Sequence, residues 1–144
     1  MSGKCFVDTD ILVYAHDRSA GAKHLRAQMV LESLWDSGWG VVSTQVLDEM
    51  CIHFCRNADN PPPVEEVRLL IRDYSTWEVV PSTAEGVLTA LEIVMRHKVH
   101  FWDALILEAA QRADVSVLYS EHLATRQRYG AIQVVNPLLD SVAQ

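Results

Sequence analysis

Phe6-Val7-Asp8-Thr9-Asp10-Ile11-Leu12-Val13-Tyr14-Ala15 is the stretch whose reading decides the fold. With Lys4 and Cys5 before it, it starts as a short apolar run that stops at a carboxylate. From Ile11 to Ala15 it continues, with no glycine or proline, into a helix-compatible segment. The rest of the chain repeats this alternation. Ala20 to Ser37 sets Leu25, Met29, Leu31, Leu34 and Trp35 at near-helical spacing and stops at Gly38. Trp39 to Val42 reads as a second strand. Ser43-Thr44 then cap a helix whose apolar stripe is Val46, Leu47, Met50, Cys51 and Phe54, leaving Glu49 near its edge.

Ala58 to Pro63, with Asn60 and a run of prolines, cannot continue a helix and reads as a loop before a helix over Val64 to Tyr74. Trp77 to Val80 is a third strand, followed by helices over about Thr83 to Arg96 and Phe101 to Ala113. Val115 to Tyr119 and Ile132 to Val135 supply two more strands, the last stopped by Asn136-Pro137. Strands separated by helices favour a parallel sheet covered on both faces. The expected fold is therefore α/β, three layers with a central parallel sheet of four to five strands, and residues 1–144 form one domain.

Composition narrows the function classes. A chain of 144 residues that is 49% hydrophobic and 22% charged is too apolar to be disordered and long enough to bury a core without staples. No run approaches the roughly 18 apolar residues of a spanning helix, and Met1 to Lys4 before Asp8 does not have the form of a signal peptide. We expect a cytoplasmic protein with no membrane attachment, its three cysteines kept as thiols. The net charge of −7 opposes nucleic-acid binding by bulk electrostatics, so any RNA needs a local basic strip. Arg126 and Arg128, just past the fourth strand, are the best candidates. Cys51, His53 and Cys55 lack the two further ligands of a zinc site and read as packing residues.

In open parallel sheets the ligand site lies beyond the carboxyl ends of the strands. Asp8 ends the first strand there, and Ser120-Glu121-His122 follow the fourth. Glu49, about two turns into its helix, can lean back toward the same edge. Asp103 lies in the first turn of its helix, where the macrodipole already favours a negative charge. Trp35, Met50 and Phe54 add more large apolar surface than one core face needs, which fits an interface or a well-filled core.

Three blocks taken together, Phe6 to Ala15, Phe101-Trp102-Asp103-Ala104-Leu105-Ile106 and Leu118-Tyr119-Ser120-Glu121-His122-Leu123, resemble the PIN-domain family, and its VapC-type toxins of type II toxin–antitoxin systems most closely. Ser43 to Glu49 and Val134 to Pro137 follow in the expected order, so the resemblance spans nearly the whole chain. It implies an acidic site that binds Mg²⁺ or Mn²⁺ and hydrolyses RNA phosphodiester bonds, a cognate antitoxin that blocks it, and a homodimer. The first three family acids carry over to Asp8, Glu49 and Asp103 as metal ligands and catalytic residues. The fourth falls on His122.

Hard divalent cations take oxygen ligands, so carboxylates are the residue type such chemistry requires. For His122 three roles stand open: an inert replacement, a shift of the site toward Mn²⁺, or a general acid or base. Asp10, where the family usually has asparagine, and Glu121 are auxiliary candidates that would act through water. His100 stands where the family commonly has a serine or threonine cap, and histidine caps poorly. Two rival readings remain. One is a catalytically impaired PIN domain that binds RNA or protein, with His122 as its evidence. The other is a haloacid-dehalogenase-like phosphatase suggested by Asp8-Thr9-Asp10, for which the later acidic pair is missing.

Overall fold

The computed structural model describes residues 3–139. Its elements run β1 (Cys5–Val7), α1 (Thr9–Ala15), α2 (Ala22–Ser37), β2 (Gly40–Ser43), α3 (Thr44–Ile52), α4 (Val64–Tyr74), β3 (Glu78–Val80), α5 (Ala84–His97), α6 (Phe101–Arg112), β4 (Val117–Tyr119), β5 (Arg128–Tyr129) and β6 (Ile132–Val135). A π-type turn over His53–Asn57 extends α3. The strands form one sheet in the order β3-β2-β1-β4-β6-β5. The first strand made is thus interior, with β2 on one side and β4 on the other.

Phe6, Val7, Val41, Val42, Leu118 and Val134 are buried, as strands covered on both faces require. The helices α1, α2 and α3 pack together, and α5 packs against α6, giving the three-layer α/β/α arrangement. Every strand pair is parallel except β5 with β6. That antiparallel pair makes the sheet one strand larger than sequence patterning indicates. A two-residue strand carries no periodic signal. Its hairpin depends instead on a tight turn through Gly130, whose φ of 62° favours glycine.

Local chemistry sets the helix starts. The Ser43 hydroxyl accepts the Val46 N–H at 3.3 Å to cap α3, and the Thr83 hydroxyl accepts the Gly86 N–H at 3.0 Å to cap α5. His100 precedes α6 without a side-chain cap. Of the surplus apolar residues, Met50 and Phe54 belong to the core. Trp35 lies at the surface against Tyr74 and Trp77, with ring centroids 5.3 and 5.1 Å away.

Gly40 opens β2 directly against this aromatic group. A Cβ there would come within 2.6 Å of the Trp77 ring, and Trp77 also packs on Tyr74, so it cannot swing aside freely. Gly40→Ala should cost about 1–3 kcal/mol by overpacking. At on the order of 4 °C per kcal/mol for a chain of this size, a thermal melt will read the change directly.

Candidate active site

Because β1, β2, β3 and β4 are parallel, their carboxyl ends share one edge. Asp8, Ser43, Pro81 and Ser120 are the residues that leave those strands. A cleft of about 640 Å³ opens there, lined on its acidic side by Asp8, Asp10, Asp48, Glu49, Asp103 and His122. Its other wall is apolar, including Val80, Val87, Trp102, Leu105 and Ile106.

Asp8 lies deepest, only 4% exposed. As the cap of α1 its Oδ1 accepts the Thr9 N–H at 2.7 Å, and its Oδ2 accepts the Ser120 hydroxyl at 2.9 Å. Burial pushes its carboxyl up from 3.8 to about 6. Those two hydrogen bonds pull it back in part, and the neighbouring charges of Asp10 and Glu49 push it up further. Glu49 is held from both sides: Thr9 Oγ1 donates to its Oε2 at 2.8 Å, and Gln45 Nε2 donates to its Oε1 at 2.8 Å. The same Gln45 nitrogen lies 3.2 Å from the Trp102 carbonyl oxygen, which ties α3 to the start of α6. Asp103, one residue further along α6, is partly buried at the cleft wall.

His122 Nε2 pairs with Asp10 Oδ2. Burial raises the Asp10 carboxyl, with the His122 charge opposing and the charges of Glu121 and Glu49 adding to the rise. Ser120 is fully buried, and its oxygen accepts the backbone N–H of His122 at 3.2 Å and of Leu123 at 3.4 Å, shaping the turn that presents His122.

The sequence-derived candidates therefore separate. Asp8, Asp10, Glu49, Asp103 and His122 line one cleft. Glu121 turns away from it: its carboxylate accepts the Tyr14 hydroxyl at 2.9 Å and the Lys23 ammonium at 2.7 Å. Burial pushes Glu121 up, but those hydrogen bonds outweigh it and hold the group below its ordinary value. Arg126 and Arg128 are exposed on the connection from β4 to β6 and are not among the cleft-lining residues. Cys51 is half-buried and Cys55 exposed, both free.

The positioning residues Thr9, Gln45 and Ser120, and the wall residue Asp48, carry no composition signal of their own. For Thr9 and Gln45 the only clue is their place beside an acid or one helical turn before it.

The acids are hard oxygen donors, the ligand type that Mg²⁺ and Mn²⁺ accept, and Asp8, Asp10, Glu49 and Asp103 line the same cleft. As arranged here Asp8, Asp10 and Glu49 each already have a protein partner. Among the described residues no three His, Cys, Asp or Glu side chains converge on one point, and no buried side-chain polar atom lacks a partner. Glu49 would have to release Thr9 or Gln45 to turn toward Asp8.

A parallel α/β domain with a carboxylate-lined cleft at its strand ends is the class that fold and site define. The PIN-domain family model matches residues 5–126, and the chain belongs to that family.

Among solved structures it resembles a sarcin–ricin-loop-cleaving VapC toxin of Mycobacterium tuberculosis, at 21% identity and TM-score 0.61 over 81% of this chain and 88% of that one. It also resembles a chain of a Klebsiella pneumoniae toxin–antitoxin complex, at 18% identity and TM-score 0.67 over 93% and 98%. A third likeness is to a chain of a Rickettsia felis VapBC complex bound to a promoter DNA fragment, at 18% and 0.62 over 90% and 96%. No curated protein matches the chain.

Proposed function

We propose that this chain, read as a single domain over residues 1–144, is a metal-dependent endoribonuclease and the toxin of a toxin–antitoxin pair. The observation that carries the reading is the meeting of Asp8, Asp10, Glu49, Asp103 and His122 in one cleft at the strand carboxyl edge. Family membership and the toxin neighbours support it. Asp8, Glu49 and Asp103 would hold Mg²⁺ or Mn²⁺. When bound, such an ion supplies Lewis acidity toward phosphoryl oxygens and lowers the pKa of water.

The chain's own residues do the rest. Ser120 fixes the direction of the Asp8 carboxylate before substrate arrives, and Thr9 and Gln45 keep Glu49 at the cleft until an ion draws it toward Asp8. Asp10 and His122 form a pair at the cleft in which a proton can be held or passed on. The antitoxin and a second copy of the chain are the protein partners we expect, and the exposed Leu88, Leu91 and Met95 on α5 offer apolar surface for one of them. Action on cellular RNA would place the protein in the cytoplasm. Arg126 and Arg128, exposed beyond β4, would reach flanking phosphates.

The test is cleavage of total cellular RNA with Mg²⁺, Mn²⁺ or EDTA. Discrete fragments that require an ion support the reading. A second reading, a PIN domain that binds RNA or protein without cleaving, is favoured by two features: His122 is paired with Asp10, and among the described residues no three ligands converge. It predicts neither cleavage nor Mn²⁺ binding in a calorimetric titration.

A further inference from the structure

Trp102 is 64% exposed although it sits at the second position of α6, between the partly buried Phe101 and Asp103. It contributes little to the core, which α6 fills with Ala104, Ile106, Leu107 and Ala110. Its indole instead lines the cleft that holds the carboxylates. The backbone beneath it is fixed relative to those acids, because Gln45 spans from Glu49 Oε1 to the Trp102 carbonyl. Phe101 lies against the indole with ring centroids 5.7 Å apart at 62°. An indole on a fixed backbone beside a phosphate-cleaving centre is a flat surface of the size of a base.

Charge makes such a surface necessary. The chain carries −7, and the cleft wall is acidic, so phosphates are drawn in weakly by the general field. Stacking of a base on an aromatic ring is insensitive to that field and tolerant of sequence.

Resting on the ribonuclease reading above, we propose that Trp102 is a stacking platform for one unpaired nucleobase and a specificity determinant that selects unpaired over duplex RNA. A paired base has its faces covered by its neighbours in the helix and cannot use the platform without leaving the stack.

The test uses the full chain carrying Asp8→Asn, so that RNA is bound and not consumed. End-labelled RNAs are titrated by fluorescence anisotropy: a random-sequence single strand, an abasic ribose-phosphate strand of equal length, and a duplex. Adding Trp102→Ala should weaken single-strand binding about 5- to 100-fold, the equivalent of roughly 1–3 kcal/mol for one stacked base. Abasic and duplex binding should stay as they were, and the salt slope should not change. Trp102→Phe should restore most of the loss. In the cleaving protein, Trp102→Ala should raise KM more than it lowers kcat. Unchanged single-strand affinity, or equal weakening on the abasic strand, overturns the proposal. So does loss of self-association with RNA affinity intact, which would assign the indole to a protein interface. Base-dependent binding through Trp102 without any metal-dependent cleavage by the unmodified chain would keep the platform and remove the nuclease. Cleavage indifferent to Trp102→Ala would do the reverse.

Discussion

Asp8→Asn should abolish RNA cleavage while making the metal-free protein more stable at neutral pH. Loss of several kcal/mol of charge stabilisation at a metal site corresponds to a fall of about two to three orders of magnitude in rate. The stability gain has a separate origin. Burial raises the Asp8 carboxyl to about 6, so between pH 4 and pH 6 the folded chain holds a proton that the unfolded chain has released. Stability is therefore lost as the pH rises through that window, by about 3 kcal/mol in full. Asp10 is shifted in the same direction and adds to the trend, while Glu121, held low by Lys23 and Tyr14, opposes it.

Urea unfolding of the apo protein at about pH 4.5 and 7.5 should show the decline in the natural sequence and much less of it in Asp8→Asn. Mn²⁺ should recover stability at the higher pH in the natural sequence alone. A variant no more stable than its parent at pH 7.5 would mean that Asp8 is ionised without penalty, contrary to its burial.

The second large effect is expected from Ser120→Ala, a change of one oxygen atom. That hydroxyl donates to Asp8 Oδ2 and accepts two backbone N–H groups, with no exposure to solvent that would let water replace it. Removing it strands the buried Asp8 Oδ2 and Leu123 N–H together with the part-buried His122 N–H, and a buried polar group left unpaired costs about 1–3 kcal/mol. Relaxation of the turn will recover part, so we expect a loss on the order of 2–4 kcal/mol, visible as a melting temperature lower by about 10 °C. Metal affinity should also fall about 10- to 100-fold, as when an outer hydrogen-bond partner of a ligand is removed. Because the lost bond is one that lowers the Asp8 pKa, the acid limb of any cleavage profile should move to higher pH. Wild-type stability together with wild-type Mn²⁺ affinity would show that water enters the turn.

Much of the fold is legible because its signals are local. Val64–Tyr74 is bounded by prolines on one side, Ser43 precedes α3 as a capping residue, and the apolar run before Asp8 is short enough to be a strand. Contacts between distant residues are a different matter. Nothing near Thr9 announces that its hydroxyl meets Glu49 40 positions away, nor does Gln45 signal its reach to Trp102 across 57. Glu121 and His122 are neighbours in sequence, yet the turn around Ser120 sends one to Lys23 and the other to Asp10. The two-residue β5 lies below the length at which alternation has meaning. Met50 and Phe54 are buried while Trp35 stays at the surface, a division that residue type alone does not announce.

Sheet order also sets a timetable. β1 is made well before β4, one of its two neighbours in the sheet, and the Asp8 to Ser120 bond joins positions 112 residues apart. Chains emerge N-terminus first, and non-local strand pairs form only after their loops can close. Asp8 therefore waits without its serine partner until Ser120 has been made. The cleft is assembled only when both ends of this long loop have been joined.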